Sequence, residues 1–360
     1  MVEEKRVEEN MCENKGNQNK GKIVHYEICR IISIFGIMYH HTGGRGVDIW
    51  QYTGSRWVYM LCLLGNIIGA ISLPLFWMIS GALLLAKEES WKKVYTKRIP
   101  RIAEALLLFS VIRYLYLYVI GYRSGSVGEF LHQFYRQEIF IPYWFLYEYL
   151  GILLVLPFLR KMMQNLTEQE KQVLFLLLLG WNILNDISKV FLASGFTVKL
   201  LFSNALTYFL IGYLLENCRM LRRNDRRLLW TGMGMAVLLT GGIYIWMRGG
   251  REAEVLGIAS NGSLFMLIAI SVYYIVRYIS EKSKWNNKAL QRFIVWCGSN
   301  VFGLYLIEDY VRNATAVICD KLGPYISALP ACCIWLLAVF LIGNVLVAGM
   351  RRLPLFRKIL

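Results

Sequence analysis

Two side chains of the first apolar stretch have the spacing and chemistry of a reactive pair. Arg30 is followed eleven residues later by His41. In a helix that turns about 100° per residue, His41 returns to within roughly 20° of Arg30, whereas His40 points about 80° away. At 1.5 Å per residue the two lie about 16 Å apart along the axis. An imidazole titrates near neutral pH and can act as a general base, while a guanidinium can bind a phosphate or polarise a carbonyl.

Both residues also have a structural interpretation, in which Arg30 snorkels to lipid phosphates and His41 caps the helix at the membrane interface. A later apolar stretch carries Glu308 and Arg312, four residues apart, a spacing that allows an ion pair on one helix face. That pair could be structural, or Glu308 could be a catalytic carboxylate.

A basic run precedes the third apolar stretch and contains Lys97, Arg98 and Arg101. Clustered Lys and Arg suit phosphate groups. The same run is expected where a membrane protein keeps its cytoplasmic loops positive, or where it meets anionic lipid headgroups. The residues alone do not separate these interpretations.

The elements that must position these residues are predicted to be membrane-spanning helices. Of the 360 residues, 56% are hydrophobic and only 18% are charged, a composition more apolar than that of a soluble domain. Apolar runs near the required length of about 20 residues must be helical in lipid, because the backbone has no other hydrogen-bonding partner there. Ten such runs occur: 24–42, 59–86, 102–121, 143–159, 172–193, 200–217, 228–247, 261–279, 294–319 and 328–349. Within the second run, Gly65 and Gly69 have the GxxxG spacing of closely packed helices.

The distribution of charge predicts the orientation. The net charge is +16, and with a cytoplasmic N-terminus 28 of the 40 Lys and Arg residues fall on the cytoplasmic side. The expected fold is therefore an all-α, multi-pass membrane protein of about ten spans with both termini cytoplasmic. It divides into a disordered tail (1–22), a membrane domain (23–350) and a basic tail (351–360). Because the cytoplasmic loops account for most of the positive charge, that charge is little evidence for a nucleic-acid partner.

Six segments, in order, resemble membrane acyltransferase family 3, the multi-span O-acyltransferases. Arg30 and His41 resemble the Arg–His signature of the family's first helix. The other five matches are Leu75–Leu84 with Ser80-Gly81, Lys97–Ile102, Tyr143–Leu146 with Trp144, Tyr208–Leu215 with Gly212-Tyr213, and Gly298–Ile307 with Tyr305. Together they cover nearly the whole chain. One position departs from the pattern, since Glu308 stands where the family usually has histidine.

The resemblance implies transfer of an acyl group, usually acetyl, from cytoplasmic acetyl-CoA to a hydroxyl of a cell-envelope carbohydrate, with no metal. It places the protein in the cell membrane, with acyl-CoA, a carbohydrate acceptor and the lipid bilayer as partners, and leaves homo-oligomerisation open. His41, Arg30 and Glu308 are the catalytic candidates. Lys97, Arg98 and Arg101 are expected to bind the CoA phosphates, and Trp144, Ser80 and Tyr305 the substrate.

In this interpretation His41 is the general base on the acceptor hydroxyl, and Arg30 holds a phosphate or polarises the thioester carbonyl. A covalent acetyl-histidine relay is a variant of the same scheme. Ten spans with charged residues inside them also fit a transporter or flippase of a lipid-linked glycan or small solute. Movement of solute without transfer of a labelled acyl group would identify that alternative.

Overall fold

A computed structural model describes residues 24–192, 204–223, 230, 234, 263–282 and 287–360. Within these residues the regular structure is helical and no strand is present. In chain order the helices are α1 (24–40), α2 (Arg56–Leu85), α3 (Trp91–Val119), α4 (Val127–Tyr135), α5 (Trp144–Asn165), α6 (Glu168–Leu192), α7 (Asn204–Asn217), α8 (Arg219–Arg223), α9 (Ser263–Lys282), α10 (Lys288–Ile326), α11 (Ala328–Met350) and α12 (Pro354–Ile359). The all-α prediction is confirmed for the described part of the chain.

Five of the described helices are long and apolar enough to cross a membrane. They are Arg56–Leu85, Trp91–Val119, Ile141–Asn165, Lys288–Ile326 and Ala328–Met350. The run predicted over 143–159 is therefore longer than its apolar residues suggested, because the helix continues through polar residues to Asn165. The tail 1–22 lies outside the described residues, as does the run at 228–247 apart from residues 230 and 234. The full count of ten spans and the orientation of the termini stay predictions.

Contacts group the chain into two compact units. The first comprises Met1–Ala82 and Glu168–Leu346, and the second comprises Leu83–Thr167 and Val347–Leu360. The first unit contains α1, most of α2, and α6 to α10 with most of α11. The second contains α3, α4, α5 and α12.

In the first unit, α1 and α10 run side by side in the same direction. Glu27, near the start of α1, packs against Gly298 of α10. His41, just after the end of α1, bonds to Glu308, which lies ten residues further along α10. Two contacts in the same order on both helices mean that they are parallel, the arrangement that the predicted topology requires of two odd-numbered spans.

Small residues allow α2 to approach α1 closely. A Cβ added at Gly65 would lie 2.8 Å from the Tyr39 ring, and one at Gly69 would lie 3.5 Å from the carbonyl oxygen of Gly36. The GxxxG spacing read from the sequence therefore marks a real packing face, and its partner is the helix that precedes His41.

The 39-residue helix α10 is the longest described element. At 1.5 Å per residue it is about 58 Å long, nearly twice the roughly 30 Å of a hydrocarbon core. Asn287 caps its first turn, with its side-chain oxygen accepting from the Ala289 and Leu290 amides at 3.0 Å each. The cap satisfies two of the backbone donors that a helix start leaves unpaired.

Candidate functional site

His41 and Glu308 form the contact at the centre of the candidate site. The His41 Nδ1 atom lies 2.6 Å from Glu308 Oε1. An ionised carboxylate only accepts hydrogen bonds, so Nδ1 carries the proton and donates it. In the neutral ring this leaves Nε2 as the nitrogen with a free lone pair. The His41 side chain is 23% exposed and that of Glu308 is 2% exposed, so the carboxylate is covered while the imidazole keeps an accessible edge.

Glu308 is itself held by its own helix. Its Oε2 accepts from Arg312 Nε at 3.2 Å, and Arg312 Nη2 donates to Asp309 Oδ1 at 2.6 Å. The i,i+4 pair expected from the sequence is therefore present. Glu308 is thus bonded to Arg312 through Oε2 and to the imidazole of His41 through Oε1.

Arg30 does not reach this group and has its own partner. Its Nη1 donates to Glu27 Oε1 at 2.6 Å, one turn earlier on α1. The Arg30 side chain is 29% exposed and that of Glu27 is 11% exposed. Glu27 packs against α10 at Gly298, where an added Cβ would overlap Glu27 Oε2 and lie 2.6 Å from its Cβ. Glycine at this position is what lets the carboxylate of Glu27 lie between the two helices.

Two of the predicted substrate contacts also belong to the first unit. Tyr305 lies on α10 one turn before Glu308 and is partly exposed. Ser80 is buried in α2 beside Gly81. A Cβ at Gly81 would overlap the backbone of Phe209, and one at Gly212 would overlap the backbone of Met78. Ser80 is therefore at a backbone-to-backbone crossing of α2 and α7.

The basic run predicted to bind phosphate belongs to the second unit. Arg98 Nε and Nη2 donate to Glu89 at 2.6 and 3.3 Å. Arg101 donates from Nε and Nη2 to the carbonyl oxygens of Ile359 and Leu360, at 2.8 Å each. Lys97 is exposed. Two of the three predicted phosphate ligands, Arg98 and Arg101, thus already have protein partners.

Glu89 joins the loop after α2 to two helices. Besides Arg98, it accepts from Arg160 Nη2 at 3.2 Å, and Arg160 Nε donates to the carbonyl of Leu84 at 2.7 Å. Burial of Glu89 acts to raise its pKa, but the bonds from Arg98 and Arg160 outweigh that effect and lower the pKa to about 2. In the same unit, Trp144 begins α5 with 37% of its surface exposed.

A second buried ionic group joins α1, α7 and α9. Glu216 Oε1 accepts from the Tyr273 hydroxyl at 2.7 Å and from Arg277 Nη1 at 3.4 Å, and His25 Nε2 lies 3.6 Å away. All four side chains are buried. Arg277 lies within the run predicted over 261–279, and no sequence pattern predicted this group. No spacing rule relates positions that far apart on three helices.

Glu27 was also missed, although its position three residues before Arg30 is a regular i,i+3 spacing. Over the part of the chain that the structure covers, no group of three or more His, Cys, Asp or Glu side chains is arranged to hold a metal ion.

Comparison with known protein families identifies the family of the chain. Residues 24–349 match the family model described as an acyltransferase domain, that of acyltransferase family 3. The match covers both the first-helix pair and Glu308. No curated protein and no solved structure shows significant similarity to the chain.

Proposed function

We propose, from the premise that the chain belongs to acyltransferase family 3, that it moves an acetyl group from cytoplasmic acetyl-CoA to a hydroxyl of a cell-surface or lipid-linked carbohydrate. Acyltransferase activity follows from the family. The donor, the acceptor, the cell membrane as location and the residue roles are the proposal. The observation that carries it is the 2.6 Å bond from His41 Nδ1 to a buried carboxylate, because this bond leaves Nε2 able to take a proton.

The proposed reaction is a direct transfer with His41 as general base. Nε2 takes the proton of the acceptor hydroxyl, and the hydroxyl oxygen attacks the thioester carbonyl. The C–S bond then breaks, and the coenzyme A thiolate takes the proton back from Nε2. Glu308 stabilises the imidazolium that forms between these steps, and Arg312 keeps the carboxylate in place. This is the role that a carboxylate has beside the histidine of a catalytic triad.

Glu308 then has a function at the position where the family usually has histidine. A carboxylate there cannot donate to a substrate, but it can orient His41 and balance its charge. The substitution is therefore compatible with catalysis by a single histidine. Lys97, which is exposed, is our candidate for the CoA phosphates. Tyr305, one turn from Glu308, is our candidate for a substrate contact.

Membrane vesicles with labelled acetyl-CoA on the cytoplasmic face and a carbohydrate acceptor test this function. His41→Ala is expected to abolish label transfer. His40→Ala is the matched control, because His40 is adjacent and exposed and has no part in the proposed mechanism, so it should keep most of the activity. Transfer that survives in His41→Ala would remove His41 from the mechanism. Wild-type vesicles that transfer no label to any carbohydrate would refute the proposed acceptor class.

A further inference from the structure

The Arg30–Glu27 pair is electrically neutral, because one guanidinium faces one carboxylate. The guanidinium has five N–H donors in a rigid fork, and the bond to Glu27 uses one of them. The side chain keeps 29% of its surface exposed, so the fork can reach a ligand. Glu27 is less exposed and lies against Gly298, which fixes where the neutralising charge is.

A neutral Arg–Glu pair favours a different class of ligand from the one favoured by an arginine that has no carboxylate beside it. A phosphate group that binds at Arg30 comes close to the carboxylate of Glu27, and like charges repel strongly at a poorly hydrated site. A neutral carbonyl has no such penalty and still gains a hydrogen bond from a charged donor. The pair therefore favours a carbonyl oxygen over a phosphate.

The separation of Arg30 and His41 along α1 indicates which carbonyl of an acyl-CoA Arg30 can bind. Arg30 and His41 are eleven residues apart, or about 16 Å on the helix axis. The thioester carbonyl must be within reach of a hydroxyl that is bonded to His41, so it cannot also bond to Arg30. Between the thioester and the phosphates of an acyl-CoA lies the pantetheine arm, whose two amide groups are neutral.

We propose that Arg30 and Glu27 form a neutral subsite for an amide carbonyl of the donor's pantetheine arm, with Arg30 as the ligand-binding residue and Glu27 as a positioning residue. The inference rests on the proposed function, since it takes acyl-CoA as the donor. It assigns Arg30 neither of the two ligands that the sequence left open, the phosphate and the thioester carbonyl.

Two donors test the subsite: acetyl-CoA, and S-acetyl-pantetheine, which keeps both amides and has no phosphate. Arg30→Ala should lower kcat/KM by about 10- to 100-fold for both donors alike, the loss expected when a hydrogen bond from a charged group is removed. Lys97→Ala is the matched phosphate control and should lower kcat/KM for acetyl-CoA alone. If Arg30→Ala impairs acetyl-CoA and spares S-acetyl-pantetheine, Arg30 binds phosphate and the inference is wrong.

Arg30→Lys covers the case in which the alanine variant does not accumulate in the membrane. Lysine keeps the positive charge and loses the planar fork, so an amide subsite predicts an equal loss with both donors, whereas a phosphate site predicts near-normal use of acetyl-CoA. Wild-type protein that uses acetyl-CoA and rejects S-acetyl-pantetheine would overturn the inference. Wild-type protein that uses neither donor would instead refute the proposed function.

Glu27→Gln tests the positioning role with a readout that a loss of folding would not produce. The amide can still accept from Arg30, but the pair becomes cationic. Turnover of S-acetyl-pantetheine by this variant should become sensitive to inorganic phosphate at constant ionic strength, while the wild type stays insensitive. Equal sensitivity of the two proteins would show that Glu27 does not exclude anions from Arg30.

Discussion

Glu308→Gln is expected to disable the candidate site by changing which nitrogen of His41 carries the proton. Arg312 Nε donates to Oε2 of Glu308 at 3.2 Å, so an amide at this position keeps its oxygen toward Arg312. Its NH2 group then points at His41 Nδ1, which must become an acceptor. The neutral ring therefore carries its proton on Nε2 and is no longer a base at that nitrogen.

The expected loss is large because geometry is kept while the protonation pattern is reversed. The corresponding carboxylate-to-amide change in a serine protease triad lowers kcat by about 10⁴ for the same reason. Part of the loss is electrostatic, since a charge-assisted hydrogen bond contributes about 1.5–3 kcal/mol, or roughly 10- to 150-fold. We expect kcat to fall by 10³- to 10⁴-fold, measured as initial rates of acetyl transfer in vesicles.

Asp309→Asn is the matched control, because it removes the same charge from the neighbouring residue, which bonds to Arg312 rather than to His41. Its rate should stay within about tenfold of the wild type. Both variants should be recovered in the membrane in similar amounts. The tautomer mechanism is refuted if Glu308→Gln keeps kcat within tenfold while His41→Ala abolishes transfer. It is also refuted if Glu308→Gln and Asp309→Asn lose activity equally.

Two further predictions concern the packing and the charge network that support the site. Gly298→Ala should lower the melting temperature of the purified protein, because the added methyl overlaps Glu27. The control is Gly323→Ala on the same helix, where the methyl meets no atom within 4 Å, so this variant should be neutral or stabilising. Equal melting temperatures of the two variants would contradict the close packing at Gly298. Glu89→Gln should destabilise the protein at pH 7 and flatten its acid unfolding, because a pKa lowered from 4.5 to about 2 corresponds to roughly 3 kcal/mol. Because the pKa of Glu89 is lower in the folded state, its contribution to stability is full above the pKa of the unfolded state and is lost as the pH falls toward 2. If the stability of the wild type does not change between pH 5 and 2, Arg98 does not hold the carboxylate.

What could be predicted from the sequence was local. The apolar runs specify helices because lipid offers the backbone no partners, and the spacing of Glu308 and Arg312 specifies a pair because residues four apart share a helix face. The relation between His41 and Glu308 could not be predicted in this way. They are 267 positions apart, and no periodicity fixes how far one helix is shifted along another. Glycine at 298, where the two helices touch, determines part of that shift.

The polar partners inside the protein follow the same division. Glu27 could have been paired with Arg30 from its i,i+3 position alone. The group of His25, Glu216 and Arg277 could not have been predicted, because it depends on three helices meeting at one level. Local pairing can be found from spacing, whereas contacts between helices need the fold.

The two ends of the first helix differ in how a carboxylate is paired with the functional side chain. At one end, Glu27 cancels the charge of Arg30 before any ligand arrives. At the other end, Glu308 bonds to Arg312 through Oε2 and to His41 through Oε1. When the imidazole is protonated, its contact with the Glu308 carboxylate becomes an ion pair, which is stronger than a bond from a neutral ring. Glu308 therefore stabilises His41 more while the imidazole holds the proton of the acceptor than it does at rest. Stabilisation of that kind lowers a barrier because it is stronger in the transition state than in the ground state. This difference in carboxylate pairing makes the His41 end suited to reaction and the Arg30 end suited to binding.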